Sequence, residues 1–324
     1  MTEPSLVRRV RAFAARLVNS QARLRAKVAR AKQARAESGL RYDEAPTLSF
    51  VVLSFNHRRN IPAILDRLRL VSGAEIIVCE DGSVDGSTDE WLDRLDRPNE
   101  FLVHSNDIHE IRAYNRAIGL ARGEFVCVLQ DDDIPPADDG WVRHALSLMR
   151  HDERMAILGA NQGWVLDLAG SLDKIRARAV YGYAEGPTWT YVKPIPTHAQ
   201  AVDVPFMYVE GVSVGPIFYR RHTFLALGEF DTAFSAPGEP GILFDHDICL
   251  RAWLAGWRVG VYGPAPFEKY VGGQGTLLFA SGIRKRNAVV NFRRIHERYA
   301  GVQSAVDAET ARLNGALLPW GTSA

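Results

Sequence analysis

Glu124-Phe-Val-Cys-Val-Leu-Gln-Asp-Asp-Asp-Ile-Pro-Pro136 is the stretch on which the reading of this chain turns. Phe125 to Leu129 is a near-continuous apolar run with β-branched and aromatic residues. Such a run predicts a strand buried on both faces, as in a parallel sheet. Asp131, Asp132 and Asp133 follow, and two prolines stop the strand. In open α/β sheets, ligands sit beyond the carboxyl ends of the strands. Three adjacent carboxylates there repel one another and lose hydration, a cost that a divalent cation and its phosphates would offset. Alternation along an extended chain puts Asp131 and Asp133 on one side and Asp132 on the other. The expectation is that Asp131 and Asp133 hold a metal-bound nucleoside diphosphate. The competing reading is a solvated acidic turn capping the helix near Trp141.

Working outward, the flanking segments alternate between strand and helix patterns. Leu48 to Ser54 reads as a strand, Phe55 to Asn60 as a loop and Ile61 to Leu70 as a helix. Ala74 to Cys79 is the second strand. It runs into Glu80-Asp-Gly-Ser-Val-Asp-Gly-Ser-Thr-Asp89, where glycines and short polar residues mark a turn opening a capped helix. Phe101 to His104 is a third strand and Glu110 to Arg122 a helix. This alternation predicts a parallel sheet with right-handed crossovers. Farther on, Tyr208 to Tyr219 reads as a strand or strand pair, Arg221 to Leu227 as a short helix, and Ile248 to Ala255 as a helix. Residues 284–299 read as a basic helix closing the domain. The expected organisation is a basic helix over 1–40 and a main domain over 46–300. Within the latter, 46–136 is the nucleotide-binding half and 137–300 the acceptor half, with a tail over 301–324.

The chain has 324 residues, is 47% hydrophobic and 24% charged, and carries a formal net charge of +1. That is ordinary for a globular protein and gives no nucleic-acid-like bias. The charge is uneven, because residues 1–40 hold ten Lys or Arg against two Glu. In residues 5–35, Leu6, Val10, Phe13, Leu17, Leu24, Val28 and Ala31 recur at near-heptad spacing. This arm fits a coiled-coil or homo-oligomer contact, a helix on an anionic membrane surface, or a helix packed on the body. Three cysteines, Cys79, Cys127 and Cys249, have no metal-site spacing and argue against a disulfide framework. They fit a reduced, cytoplasmic protein, with peripheral membrane contact left open. No apolar run reaches the roughly 18 residues of a membrane span.

Four pieces in order resemble the family 2 glycosyltransferases with the GT-A fold. They are Val52-Leu-Ser-Phe-Asn56, then Val78-Cys-Glu-Asp-Gly-Ser-Val-Asp-Gly-Ser-Thr88. Next comes Ala113-Tyr-Asn-Arg-Ala-Ile-Gly-Leu-Ala-Arg-Gly-Glu124, leading into Gln130-Asp-Asp-Asp133. Last are Gly228-Glu-Phe-Asp231, Phe244-Asp-His-Asp-Ile-Cys-Leu-Arg251 and Gly256-Trp-Arg-Val259. The resemblance implies a mainly parallel α/β sheet flanked by helices. It also implies a metal-dependent, hexosyltransferase-type enzyme using Mn2+ or Mg2+ and a UDP-, dTDP- or GDP-linked sugar. Asp81 matches the carboxylate that reads the nucleotide base, with helix capping as its alternative. Ser54 and Asn56 match the loop lining base and ribose, and Glu80, Asn115, Asp131 and Asp132 join the donor set. Arg112 is a candidate diphosphate or base contact, or a surface ion pair. Tyr114 stands where the family often has Arg.

Asp245 aligns with the family's catalytic base, with Asp247 as its helix-start partner, although Phe244 replaces the usual Glu. The alternative for both is N-terminal helix capping. The chemistry needs such a base, since an acceptor hydroxyl must shed its proton as it attacks the anomeric carbon. One base opposite the leaving group gives a single displacement with inversion. Trp164, Trp189 and Tyr191 are candidate sugar-stacking residues, or anchors of a long loop, as are Tyr181 and Tyr183. The family's His near the metal is missing from Phe267-Glu-Lys-Tyr-Val-Gly-Gly-Gln-Gly-Thr276, so Glu268 or a water would fill that position. A glycan or lipid-linked acceptor, and a place in cell-surface polysaccharide or glycan assembly, are the family-level expectations. Two other classes stay open, a sugar nucleotidyltransferase and a non-catalytic nucleotide- or sugar-binding module. The first normally needs a Gly-rich loop after the first strand, and His57-Arg-Arg-Asn60 lacks the glycines.

Overall fold

The computed structural model describes residues 45–160, 163–167, 188–192, 197–198, 202–263, 268–269, 281–299 and 301–319, with scattered helical residues between 22 and 37. Its first four strands are β1 (Leu48–Ser54), β2 (Glu75–Glu80), β3 (Glu100–His104) and β4 (Phe125–Gln130). All run parallel, with β1 between β2 and β4 and β3 outside β2. Each crossover carries a helix: α1 (Ile61–Leu68), α2 (Ser87–Arg94) and α3 (His109–Leu120). The run Phe125 to Leu129 is fully buried, as its composition demanded, because helices cover both faces. Alternation sorts the side chains. Phe50, Val52, Val78, Cys127 and Leu129 pack with Ile61, Leu65, Trp91 and Trp141. Val51, Ile77, Val126 and Val128 pack with Ile111, Tyr114 and Ile118 of α3.

The second half of the chain joins the same sheet. After β5 (Asp133–Ile134) and α4 (Gly140–His151) come β6 (Met155–Ala160), β7 (Gly163–Asp167), β8 (Thr188–Val192) and β9 (Thr197–His198). Then follow β10 (Phe206–Tyr208), β11 (Gly211–Val212), β12 (Ile217–Arg220), α5 (Arg221–Ala226), α6 (Phe244–Leu254) and β13 (Arg258–Tyr262). The eight strands lie in the order β10-β13-β6-β12-β4-β1-β2-β3. β12 is antiparallel to both β4 and β6, and β10 is antiparallel to β13. The mainly parallel α/β class implied by the resemblance is the one observed. Because β12 runs against β4, its entry turn arrives at the carboxyl end of β4, beside the acidic triplet.

Several boundaries differ from expectation for local reasons. The Tyr208–Tyr219 stretch is three short strands, broken at residues 209–210 and again at 213–216, where Gly215 takes a positive φ. Helix α6 begins at Phe244 rather than Ile248, so Asp245 and Asp247 lie in its first turn, where carboxylates favour the helix dipole. Residues beyond 301 are not a bare tail. After β14 (Glu268–Lys269) and α7 (Ser281–Tyr299), residues Gln303–Asn314 form α8, and β15 (Leu318–Pro319) pairs with β9. Asn314 ties α8 to the sheet, accepting from Tyr208 N at 2.7 Å and donating to Tyr208 O at 2.8 Å. Most of the expected 5–35 helix lies outside the described residues. Within it, Lys27 forms an ion pair with Asp93 of α2.

Candidate active site

The triplet does not continue the strand. Asp131 and Asp132 form a turn after β4, and Asp133 opens β5. The expected alternation of side chains therefore fails, since it requires extended backbone. Asp131 turns toward β1, where its carboxylate accepts from Phe55 N at 2.5 Å and meets His57 Nδ1 at 2.8 Å. Asn60 donates to the Asp131 carbonyl at 2.8 Å. Burial pushes the Asp131 carboxyl above its usual range, and His57 and the Phe55 N–H hold it back. The same hydrogen bond raises the His57 pKa. Asp133 is fully buried and lies on the β12 side, against Gly215. Asp132 is half-buried and makes no hydrogen bond among the described residues.

Asp81 at the end of β2 is buried and takes three donors: Ser105 Oγ at 2.7 Å, Ile108 N at 2.9 Å and His109 N at 2.8 Å. It clamps the loop that enters α3. Glu80 closes its own turn by accepting from Ser83 N at 2.6 Å and pairs with His104 at 2.8 Å. Ser54 is buried and accepts from Trp91 Nε1 at 2.8 Å. Asn56 joins the first two strand-end loops, with its N–H on Ser83 Oγ at 3.0 Å and its Oδ1 accepting from Val84 N at 2.8 Å. Asn56, Asp107, His109 and Leu243 all have positive φ, between 55° and 66°. Strained non-glycine backbone thus gathers in the loops at this end of the sheet.

Arg112 and Asn115 point toward the 230–235 segment. Arg112 donates to the Ser235 carbonyl at 2.9 Å, and Asn115 forms a two-way pair with Phe230 at 2.8 and 3.0 Å. Both fasten α3 to the 230–235 segment. Their donors are engaged by backbone that sequence spacing could not reveal.

In the second acidic site, the two aspartates separate in role. Asp245 is half-buried. Its oxygens accept from Val214 N and from His246 N, each at 3.0 Å. Burial raises its pKa, against the pull of those N–H groups. Asp247, the expected helix-start partner, faces the other way. It is fully buried and takes Arg251 Nε at 2.8 Å, Arg298 Nη1 at 2.9 Å and Tyr299 Oη at 2.8 Å. Arg298 also pairs with Asp231 at 2.8 Å. The acidic and basic residues of the fourth motif thus bolt α6, α7 and the Gly228–Asp231 turn together.

Residues 210–215 join the two acidic sites. Val214 N holds Asp245, and the next residue, Gly215, lies against Asp133. Gly215 has φ +100°, and a Cβ there would run into Asp133 Oδ2. No other residue type fits that turn without displacing the carboxylate. One turn after β11 therefore places a raised-pKa carboxylate and the acidic triplet on either side of it. Sequence reading missed this segment and the partner of His246. The spaced glycines of Glu210-Gly-Val-Ser-Val-Gly215 were the available signal.

The candidate acceptor residues lie in a small antiparallel sheet ordered β11-β7-β8. Trp164 pairs with Tyr191, Leu166 with Trp189, and Gly211 with Trp164. Tyr181, Tyr183 and most of the 267–276 stretch lie outside the described residues. The backbone of β14 pairs Lys269 with Asp133 and Glu268 with Ile134.

The donor chemistry here suits a hard cation, since the triplet offers oxygen ligands only. Asp131 meets His57. Burial raises the Tyr114 pKa first, and Glu110 and all three triplet carboxylates add to that rise. Among the described residues, no group of three or more His, Cys, Asp or Glu is placed to hold a metal ion by itself. A Mg2+- or Mn2+-type site needs none, because one or two carboxylates act with substrate phosphates.

Residues 49–184 match the family model described as Glycosyl transferase family 2. EpsH of Bacillus subtilis (strain 168), which is named as a glycosyltransferase, is 33% identical over 93 residues. That segment is 28% of this chain and 27% of the relative, so the likeness spans about a quarter of the relative's length. Among solved structures, S. aureus TarS is similar at 16% identity, TM-score 0.47, covering 68% of this chain and 36% of that one. The mannosyltransferase PcManGT from Pyrobaculum calidifontis, solved with GDP-Man and Mn2+, gives 16% identity and TM-score 0.45 over 92% of this chain and 84% of its own. Glucosyl-3-phosphoglycerate synthase from Mycobacterium tuberculosis, solved with Mn2+, UDP and phosphoglyceric acid, gives 15%, TM-score 0.46, and 80% of each chain. The stretch that resembles glycosyl transferase family 2, residues 49–184, holds β1 to β4 and the acidic triplet.

Proposed function

We propose that this chain moves a sugar, with inversion, from a nucleoside diphosphate sugar to an acceptor hydroxyl, with Mn2+ or Mg2+ at the Asp131–Asp133 turn. The observation that carries this reading is the approach of Asp133 and Asp245 to consecutive residues, Gly215 and Val214. A leaving-group site and a base would then share one cleft at the strand ends. Asp132 and Asp133 are the residues that would hold the cation, because the Asp131 carboxylate is engaged by Phe55 and His57. When bound, the cation would offset charge on the departing diphosphate. Asp245 takes the acceptor's proton as its oxygen attacks the anomeric carbon and the bond to the diphosphate breaks. Its raised pKa suits that work, since a base nearer the operating pH holds the proton better. The loops clamped by Asp81 and Asn56 line the nucleoside end, and the β7–β8 strand pair, which contains Trp164, Trp189 and Tyr191, is the proposed acceptor side. The acceptor class in this reading is a glycan or a lipid-linked glycan.

The test is Asp245→Asn. General-base removal should lower turnover by roughly 100-fold or more, with nucleoside diphosphate affinity kept. Release of nucleoside diphosphate, rather than pyrophosphate, separates sugar transfer from nucleotidyl transfer. Near-normal turnover by the variant would refute the assignment.

A further inference from the structure

His246, the residue beside the base, is more deeply buried than the half-buried Asp245. His246 and Glu210 are each 1% exposed, and His246 Nε2 lies 3.1 Å from Glu210 Oε1. The His246 ring lies flat against Gly211, where a Cβ would collide with Nδ1. These contacts fix one end of the 210–215 segment on α6. Its other end reaches Asp245 through Val214 N and Asp133 through Gly215. Its middle, β11, is paired to β7, the strand that carries Trp164. One six-residue segment therefore contacts the base, the triplet and the sheet of the proposed acceptor side. A buried carboxylate and imidazole are costly to desolvate, and folding alone would be served as well by apolar residues of the same shape.

We infer that Glu210 and His246 are positioning residues. Their pairing sets the register of residues 210–215 on α6, and thereby the placement of Asp245 relative to Asp133 and to the acceptor sheet. Neither residue touches substrate. This inference rests on the glycosyl-transfer reading above. It adds a pair outside the residues that would touch donor or metal. Its mechanism is geometric, since a shift of about 1 Å between reacting groups can cost roughly 100-fold in rate. A one-residue slip of β11 would also turn its side chains to the opposite face.

The experiment compares the full-length wild type with Glu210→Gln, Glu210→Ala and His246→Asn. Each is assayed with Mn2+ and whichever UDP-, dTDP- or GDP-linked sugar the wild type hydrolyses fastest. Binding of the matching nucleoside diphosphate with Mn2+ is measured by calorimetry. The expected result is a graded loss of kcat, about threefold for Glu210→Gln and roughly 30-fold for Glu210→Ala and His246→Asn, with KM and nucleotide Kd within about twofold. A merely structural pair would lower the yield of folded protein and leave kcat per folded molecule unchanged, and that outcome overturns the inference. So does a parallel loss of nucleotide affinity. If Glu210→Ala is not recovered folded, the near-isosteric Glu210→Gln decides, and wild-type kcat there refutes the role. Asp245→Asn run alongside separates the two levels. If it is inactive while Glu210→Ala has wild-type kcat, only the positioning role fails. If the wild type releases no nucleoside diphosphate at all, the glycosyl-transfer reading falls first.

Discussion

Asp247 offers the sharpest separation of structure from chemistry, because its sequence context matches Asp245 and its surroundings do not. Its carboxylate accepts from Arg251 at 2.8 Å, Arg298 at 2.9 Å and Tyr299 at 2.8 Å, with no exposed surface. Breaking a buried ionic group by removing one partner typically costs about 3–5 kcal/mol. The Arg251 and Arg298 side chains are 22% and 39% exposed, so water compensates part of their lost pairing. The lower end, about 3 kcal/mol for Asp247→Ala, is therefore expected, and about 2 kcal/mol for Asp247→Asn, which keeps one acceptor oxygen. The assay is urea unfolding followed by fluorescence, where a lower midpoint at unchanged slope reports lost stability. Nucleoside diphosphate release, normalised to folded protein, should stay within about threefold of wild type, as for a residue remote from the reacting atoms. An Asp247→Asn protein with wild-type stability and no turnover would refute the structural assignment and restore this residue to the chemistry.

Other outcomes follow from the same contacts. Gly215→Ala forces a Cβ into a left-handed turn against Asp133, so metal-dependent nucleotide binding should weaken about tenfold or more and stability fall by about 1–3 kcal/mol, checked by calorimetry and urea unfolding. Asn115→Ala removes the two-way pair with Phe230 and should cost about 1–3 kcal/mol while leaving nucleotide Kd unchanged; a selective loss of nucleotide binding would return Asn115 to the donor site. The pKa of Asp245 is raised, so folding favours its neutral form and the base becomes available only as pH climbs past that raised value. The acid limb of the rate profile should therefore lie above the ordinary 3.8 of an aspartate and vanish in Asp245→Asn. Chelation with EDTA should abolish nucleoside diphosphate release and Mn2+ should restore it; full activity without divalent metal would remove the cation from the account.

What the sequence made legible was whatever obeys a short-range rule. Phe125 to Leu129 announced a doubly covered strand because burial on both faces leaves no polar alternation. Asp131 stood out because the apolar run ends in an acidic triplet and two prolines, whereas Asp81 and Asp245 were singled out by the resemblance. Their partners were not legible. Arg112 reaches Ser235 across 123 positions and Asn115 reaches Phe230 across 115, and no periodicity encodes such distances. Asp245 and Asp247 differ by two positions and look alike as text. On a helix that spacing points them in different directions, one toward Val214 and the other toward Arg298 and Tyr299. The alternation rule failed at Asp131–Asp133 because it presumes extended backbone through a turn.

The central claim is that the triplet and Asp245 serve one cleft, joined through Val214 and Gly215. Anomalous diffraction from crystals soaked with Mn2+ and UDP or GDP tests it most directly. The account predicts a manganese peak beside Asp132 and Asp133, with the diphosphate between it and the Asp245 side of the 214–215 turn. A peak on any other surface, with the triplet bare in the presence of nucleotide, would contradict it.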